Sequence, residues 1–257
     1  MSEPLLETRG LTKTFGGLKA VQQVDLRVDA NRIVSVIGPN GAGKTTLFNC
    51  LSGIYRPDGG TITLAGRDVT GRPPHQLSRL GLARTFQNIR LFPEMSVLEN
   101  VLVAQFQHRS LSPLPLLFHS PKFLAAEREH CNEAFAFLEF VDLASRANDT
   151  AGNLAYGLQR RLEIARALAT QPKILLLDEP AAGMNPQETA GMIGLISRIR
   201  ERGLAVVLIE HHMKLVMTIS DEILVLDHGI PIAHGNPEAI RNDPRVIRAY
   251  LGEEIAA

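Results

Sequence analysis

The sequence has no tryptophan, only three tyrosines and two cysteines among its 257 residues. With aromatics at 5%, an interior has to be built from aliphatic side chains. Cys50 and Cys131 have neither metal-ligand nor disulfide spacing, so reduced thiols are expected. Neither sign of charge is in excess: Lys+Arg and Asp+Glu are 27 each. Neutralising a phosphate backbone takes a basic face, so this balance argues against a nucleic-acid partner. No run approaches the roughly 18 apolar residues of a membrane-spanning helix. The start, MSEPLLETRG, lacks a basic start and a long apolar core, so no secretory leader is expected.

What is present is a 45% hydrophobic chain, enough for a sizeable core. AVQQVDLRV and RIVSVIG between residues 19 and 38 read as strands, and TITLAG alternates as a strand does. TLFNCLSGI places Leu47, Leu51 and Ile54 at helical spacing. Ser96 followed by Glu99 forms a capping box that predicts a helix start. Residues 107–123 are irregular and proline-broken, with helical LAAEREHCNEAFAFLEFV after them. From residue 174 buried strands (ILLLD, LAVVLIE) alternate with helical segments, and EILVLDHGIPIAHG predicts a hairpin through Asp227-His228-Gly229. Such alternation implies a largely parallel sheet in an α/β fold. The tail offers Asp243 as cap, Pro244 at the first helical position and Ile247, Tyr250 and Leu251 on one face.

Two patterns carry chemistry. GPNGAGKTT supplies Gly38, Pro39, Asn40, Gly41, Ala42, Gly43, Lys44, Thr45 and Thr46, a phosphate loop between a buried strand and an amphipathic helix. Its glycines permit the turn and aim backbone amides at phosphate oxygens, helped by the helix N-terminus. Lys44 is expected to bridge the β and γ phosphates, and the Thr45 hydroxyl to hold Mg2+. ILLLDEP places Asp178 and Glu179 at the end of a buried strand, the edge where ligands of open α/β sheets collect. Asp178 is expected to reach Mg2+ through water, and Glu179 to polarise the attacking water. Taken alone, such an Asp-Glu-Pro turn reads equally as a strand cap.

The order of the pieces extends this. After the phosphate loop come TFQN, LAYGLQRRLEIARAL, ILLLDEP, AAGMNP and IEHHM. This order resembles the ATP-binding subunit of ABC transporters over about residues 5–253. TLFNCLSGIYRPDGG, ARTFQNIRLFPEMSVLENVLVAQ, LEIARALATQPKILLLDEPAAGMNP and NDPRVIRAYLGE are similar, more narrowly, to the ATPases of branched-chain amino acid importers.

The resemblance implies a P-loop NTPase fold with a mainly parallel core sheet, an antiparallel β region and an inserted helical subdomain. It divides the chain into a core of 1–87 and 161–235, a helical signature subdomain of about 88–160 and a tail of 236–257. It implies ATP and Mg2+ as ligands and a second ATPase subunit, either a sister chain or another copy, packed head to tail. The signature of one subunit, here Leu154, Ala155, Tyr156, Gly157 and Leu158, then serves the γ-phosphate on the other. Gln87 is assigned to Mg2+ or the attacking water, His211 to the γ-phosphate, Asn185 to the D-loop and Phe15 to stacking on adenine. Leu91, Phe92 and Pro93 are candidates for exposed anchors on a face that receives a cytoplasmic helix of the membrane partner, with a plain core position the alternative for each. Further implied partners are two transmembrane permeases and, indirectly, a periplasmic or external binding protein. The subunit would then sit peripherally on the cytoplasmic face of the inner or plasma membrane. Departures from the family pattern are Ala155 for Ser, Leu158 for Gln, Asn185 for Asp and His212 for Asp. A lipid or lipopolysaccharide transporter, or a soluble ABC ATPase acting on nucleic acid or ribosomes, is the alternative.

Overall fold

The computed structural model describes residues 3–106 and 121–254. The chain divides into two compact units, one of Met1–Gln87 with Lys173–Ala257 and one of Asn88–Pro172. The second unit closes at Pro172 and not near residue 160, because a helix running through Tyr156–Ala169 belongs to it whole.

The first unit holds two sheets. Strands β1 (Leu6–Phe15), β2 (Leu18–Val28), β4 (Gly59–Leu64) and β5 (Arg67–Asp68) form an antiparallel sheet in the order β2-β1-β4-β5. Strand β1 was not legible as a strand, and its packing shows why. Thr8 lies in the interior, its hydroxyl donating to Val24 O and accepting from Leu26 N at 2.9 Å each, so a polar residue occupies a core position. Register shifts along the β1–β2 pair also break the alternation that marks a strand.

The second sheet is six-stranded, ordered β10-β9-β3-β8-β7-β6. Its strands are β3 (Ile33–Ile37), β6 (Leu82–Arg84), β7 (Ile174–Asp178), β8 (Ala205–Ile209), β9 (Glu222–Asp227) and β10 (Ile230–Gly235). All pairings are parallel except the β9–β10 hairpin. Every residue of β3, β7 and β8 is buried, as expected of parallel strands covered on both faces and written as unbroken apolar runs. Helix α1 (Lys44–Leu51) buries Leu47, Phe48 and Leu51 in the core shared by both sheets. Each such side chain stabilises the fold by about 1.5–3 kcal/mol. The short helix α2 (Pro74–Arg79) and the strand β6 were both missed, being too brief to show a period.

The second unit is helical: α3 (Val97–Gln105), α4 (Pro121–Phe140) and α5 (Tyr156–Ala169) pack on one another. The Ser96–Glu99 capping box starts α3. Residues 107–120 of the expected irregular stretch lie outside the described residues, and α4 already begins at Pro121.

Back in the first unit, α6 (Pro186–Glu201) and α7 (Met213–Ile219) flank the core strands. The tail forms α8 (Pro237–Arg241) and α9 (Pro244–Glu254). The expected apolar face of α9 needs correction. Val246 is buried and Tyr250 partly so, while Ile247 is 45% exposed, and the Leu251 side chain is outside the described residues. Among the described residues no helix is long and apolar enough to cross a membrane.

Candidate active site

Consecutive strands of the parallel sheet end in the predicted loops. In the spatial order β3, β8, β7, β6, the C-terminal ends lead into the phosphate loop, His211, Glu179 and Gln87. Residues separated by more than a hundred positions thus meet along one sheet edge, where parallel strands direct their connections.

The phosphate loop is shaped by backbone approaches that exclude a side chain. A Cβ on Gly38 (φ +149°) would lie 2.0 Å from Leu226 O, and one on Gly43 (φ +97°) would lie 2.2 Å from Ala20 O. Gly43 is also the N-cap of α1 and supplies no side-chain cap. Lys44 is buried, its ammonium donating to Gly38 O at 2.6 Å and Pro39 O at 2.8 Å. The loop therefore holds its cation folded inside the turn, ahead of a helix whose first turn has no acidic residue.

Glu179 follows β7 with φ +49°, an uncommon backbone for a non-glycine residue, and its amide donates to Ile209 O at 2.9 Å. Its carboxylate is bracketed. His211 Nε2 lies 3.0 Å from Oε1, and Gln87 Nε2 donates to Oε2 at 3.1 Å. These three side chains share a pocket of about 500 Å3 with Asn40, Gly41, Ala42, Gly43, Lys44, Thr45 and Thr46. Phe15 lies at its rim, 42% exposed, its ring edge-on to Tyr55 with centroids 5.2 Å apart. It is not a core residue, and Lys13 Nζ lies over its ring, 5.3 Å from the centroid.

Comparison with known proteins decides the family. The model described as ABC transporter matches residues 21–182. The high-affinity branched-chain amino acid transport ATP-binding protein BraF of Pseudomonas aeruginosa is 56% identical over 98% of this chain and 100% of its own. LivG of Escherichia coli (strain K12), bearing the same description, is 54% identical over the same shares.

The chain belongs to the ABC transporter ATP-binding family.

A model described as branched-chain amino acid ATP-binding cassette transporter also matches residues 231–256, most of β10 and the tail. Among solved structures, an ATP-binding cassette of an ABC transporter in its ADP conformation superposes with a TM-score of 0.85 at 34% identity, covering 98% of this chain and 100% of that one. A nucleotide-free cassette gives 0.84 at 34% identity, covering 96% and 99%.

Two residues of this ABC cassette carry its loops and were not foreseen. Glu210, buried between β8 and His211, accepts from Ala181 N at 2.8 Å, His211 N at 3.0 Å and His212 N at 3.2 Å. One carboxylate thus joins the segment after Glu179 to the segment bearing His211. Arg84, the last residue of β6, pairs with Asp178 at 2.8 Å, both side chains under a tenth exposed. The visible signal was an ionisable residue at the end of an apolar run: Glu210 in LAVVLIE and Arg84 in LAR.

The expected metal residues fit Mg2+ in a particular way. Thr45 and Gln87 line the pocket with one hydroxyl and one amide, whereas the Asp178 carboxylate is buried at the end of β7, outside that lining, with Oδ2 engaged by Arg84. Among the described residues there is no cluster of three or more His, Cys, Asp or Glu that could hold a metal alone. Mg2+ sites in general use one or two carboxylates, with substrate phosphates and water completing the shell.

The signature residues belong to the second unit. Ala155 is the N-cap of α5 and makes no side-chain cap bond, while Leu154 and Gly157 are buried and Ala155 and Tyr156 exposed. Leu158 is partly buried. Behind them Arg160 donates to the Tyr156 hydroxyl at 2.8 Å and to Glu163 at 3.1 Å, a nearly fully buried pair. In the same unit the segment after residue 88 leaves Phe92 41% and Met95 38% exposed, with Pro93 exposed and Leu91 half-buried. Asn100 holds that segment, accepting from Phe92 N and donating to Phe92 O, each at 3.0 Å. In the first unit, Asn185 caps α6 reciprocally with Glu188, and His212 caps α7 through Nδ1 to Leu215 N at 3.3 Å. A capping role for His212 had no counterpart in the motif reading.

Proposed function

We propose that this chain is the ATP-hydrolysing subunit of an importer for branched-chain amino acids, acting through separate membrane permeases. The observation that carries the nucleotide chemistry is the gathering of the phosphate loop, Gln87, Glu179 and His211 around one pocket. The cargo rests on relatives described as branched-chain amino acid transport proteins, matched along nearly the whole chain, and on the matched tail.

In this reading residues 38–46 cradle the ATP phosphates, Lys44 leaves its loop carbonyls for the β and γ phosphates, and Phe15 stacks on the base. Thr45, Gln87 and Asp178 would hold Mg2+, which when bound would supply charge neutralisation at the transferred phosphoryl group. Glu179 accepts the proton of the attacking water. His211 and Gln87, at 3.0 and 3.1 Å, keep its carboxylate facing the pocket. The signature, Leu154 to Leu158, acts on nucleotide held by a second ATPase subunit, a sister chain or another copy. Its buried Gly157 and the start of α5 supply backbone amides there. Asn185 contacts that partner from the D-loop, and Phe92 with Pro93 receives a cytoplasmic helix of a permease. Two such permeases and an external binding protein complete the importer, with this subunit on the cytoplasmic face of the membrane.

The test is reconstitution in vesicles. Chain, sister ATPase and permeases should hydrolyse ATP faster when the binding protein is loaded with leucine, isoleucine or valine, and should accumulate that amino acid. ATP hydrolysis that a monomer sustains at full rate, independent of protein concentration, contradicts the shared-site mechanism. Stimulation by a lipid instead would reassign the cargo and leave the ATPase intact.

A further inference from the structure

We propose that Arg84 is a positioning residue for the Asp178 carboxylate, fixing it for the metal–nucleotide complex by tying the end of β7 to the phosphate-loop helix. This rests on the ATPase reading above.

The guanidinium makes its bonds to different parts of the site. One terminal nitrogen donates to Asp178 Oδ2 at 2.8 Å. The other donates to Asn49 Oδ1 at 2.7 Å and Ser52 Oγ at 2.8 Å, on and just beyond α1. The rings of Phe48 and Phe86 flank it, with centroids 5.7 and 5.2 Å from Cζ. Arg84 and Asp178 side chains are only 7% and 4% exposed. Asn49 and Ser52 lie at the C-terminal end of the helix that begins at Lys44, and Gln87 lies three residues beyond Arg84, so one planar group joins that helix to the acidic strand end on the segment that leads to Gln87.

Several features distinguish this from a pair that merely fills space. Taking a carboxylate and a guanidinium out of water is costly, and two apolar side chains of similar volume would pack as well or better. Arg84 Nε is buried without a partner, so the side chain carries an unsatisfied donor to keep its terminal nitrogens where they are. A planar fork can hold Asp178 Oδ2 with one terminal nitrogen while Asn49 and Ser52 fix the other; the single ammonium of lysine would not reproduce that geometry. Groups that orient metal-associated carboxylates typically change metal affinity 10- to 100-fold when removed.

The experiment measures binding of a fluorescent ATP analogue in EDTA and over a Mg2+ series, alongside the Mg2+ dependence of phosphate release. Wild type is compared with Arg84→Met, Arg84→Lys and the double substitution Asn49→Ala/Ser52→Ala. Arg84→Met should bind nucleotide in EDTA within about twofold of wild type yet need about tenfold or more Mg2+ for its half-maximal response. Arg84→Lys should fall between, and Asn49→Ala/Ser52→Ala should shift the same way by less. An unchanged Mg2+ midpoint in Arg84→Met overturns the proposal, as does an equal loss of affinity with and without Mg2+, which marks a purely structural role. Should Arg84→Met not fold, the same criteria apply to the other two variants. If wild type itself shows no Mg2+-dependent nucleotide binding, the ATPase reading falls and takes this one with it. If wild type responds and the variants match it, only the role of Arg84 is lost.

Discussion

His211 Nε2 lies 3.0 Å from Glu179 Oε1, although 32 positions separate the two in sequence (211 − 179). The contact exists because β7 and β8 are parallel neighbours whose ends fall together, with Asp178 opposite Ile209. It makes Glu179 the group whose change should matter most to hydrolysis and least to binding. Glu179→Gln keeps the size and a carbonyl acceptor but removes the proton acceptor. Phosphate release should fall by about 10²–10⁴-fold, the range for losing a general base, while ATP affinity stays within a few-fold. Wild-type turnover in this variant would exclude Glu179 as the base. His211→Ala should also slow hydrolysis.

Glu210 gives a different signature, since it faces backbone and not the pocket. Its carboxylate accepts from Ala181, His211 and His212 amides in a buried setting. Glu210→Ala strands those amides, and each buried unsatisfied group costs about 1–3 kcal/mol. Urea unfolding should show a loss of a few kcal/mol, together with slower phosphate release because both loops lose their shared anchor. Unchanged stability would mean that water replaces the carboxylate without penalty. Glu210→Gln, which keeps one carbonyl acceptor, should lose less.

Part of the site is legible in the sequence and part is not. The loop from Gly38 to Thr46 and the pair Asp178–Glu179 announce themselves because their chemistry is local: glycines, a lysine and acids next to apolar strands. Gln87, His211 and Phe15 came from motif order alone, since each is a lone residue until the sheet aligns its strand end or rim with the others. Arg84 and Glu210 stayed hidden for a stronger reason. Their partners, Asp178 with Asn49 and Ser52 in one case and three backbone amides in the other, become neighbours only through strand order. Strand β1 was obscured by Thr8, whose satisfied hydroxyl makes a core position look like a surface one.

The tail supplies a pH-dependent prediction. The Arg245 side chain, and then its amide, donate to Asp243 and pull its carboxyl from the usual 3.8 to about 2. A folded value below the unfolded one means that ionised Asp243 favours the folded tail above about pH 4. That contribution fades as pH falls through about 2. The Asp243 side chain is partly buried but its partner Arg245 is exposed, so salt should weaken the effect. Following the Asp243 side-chain carboxyl by NMR should place its midpoint near 2 at low salt, moving toward 3.8 in Arg245→Ala. A midpoint near 3.8 in the unaltered chain would show that the contact does not persist in solution.

Ala155 makes the last case, because it is weak as a cap and unusual as a signature residue. It sits at the N-cap of α5 with extended backbone and makes no side-chain cap bond, while its carbonyl accepts from Leu158 N at 2.9 Å. A serine hydroxyl there can accept an amide of the first turn, a change worth about 0.5–2 kcal/mol at such positions. Ala155→Ser should therefore raise the melting temperature. The same hydroxyl would face nucleotide on the second ATPase subunit under the proposed mechanism, adding one donor to the γ-phosphate. Hydrolysis by the assembled dimer should then be equal to or faster than that of the unaltered protein. The two readouts separate the roles. A higher melting temperature with unchanged turnover makes position 155 a cap only, whereas a marked fall in turnover means that the hydroxyl obstructs the approach and the signature assignment must be withdrawn.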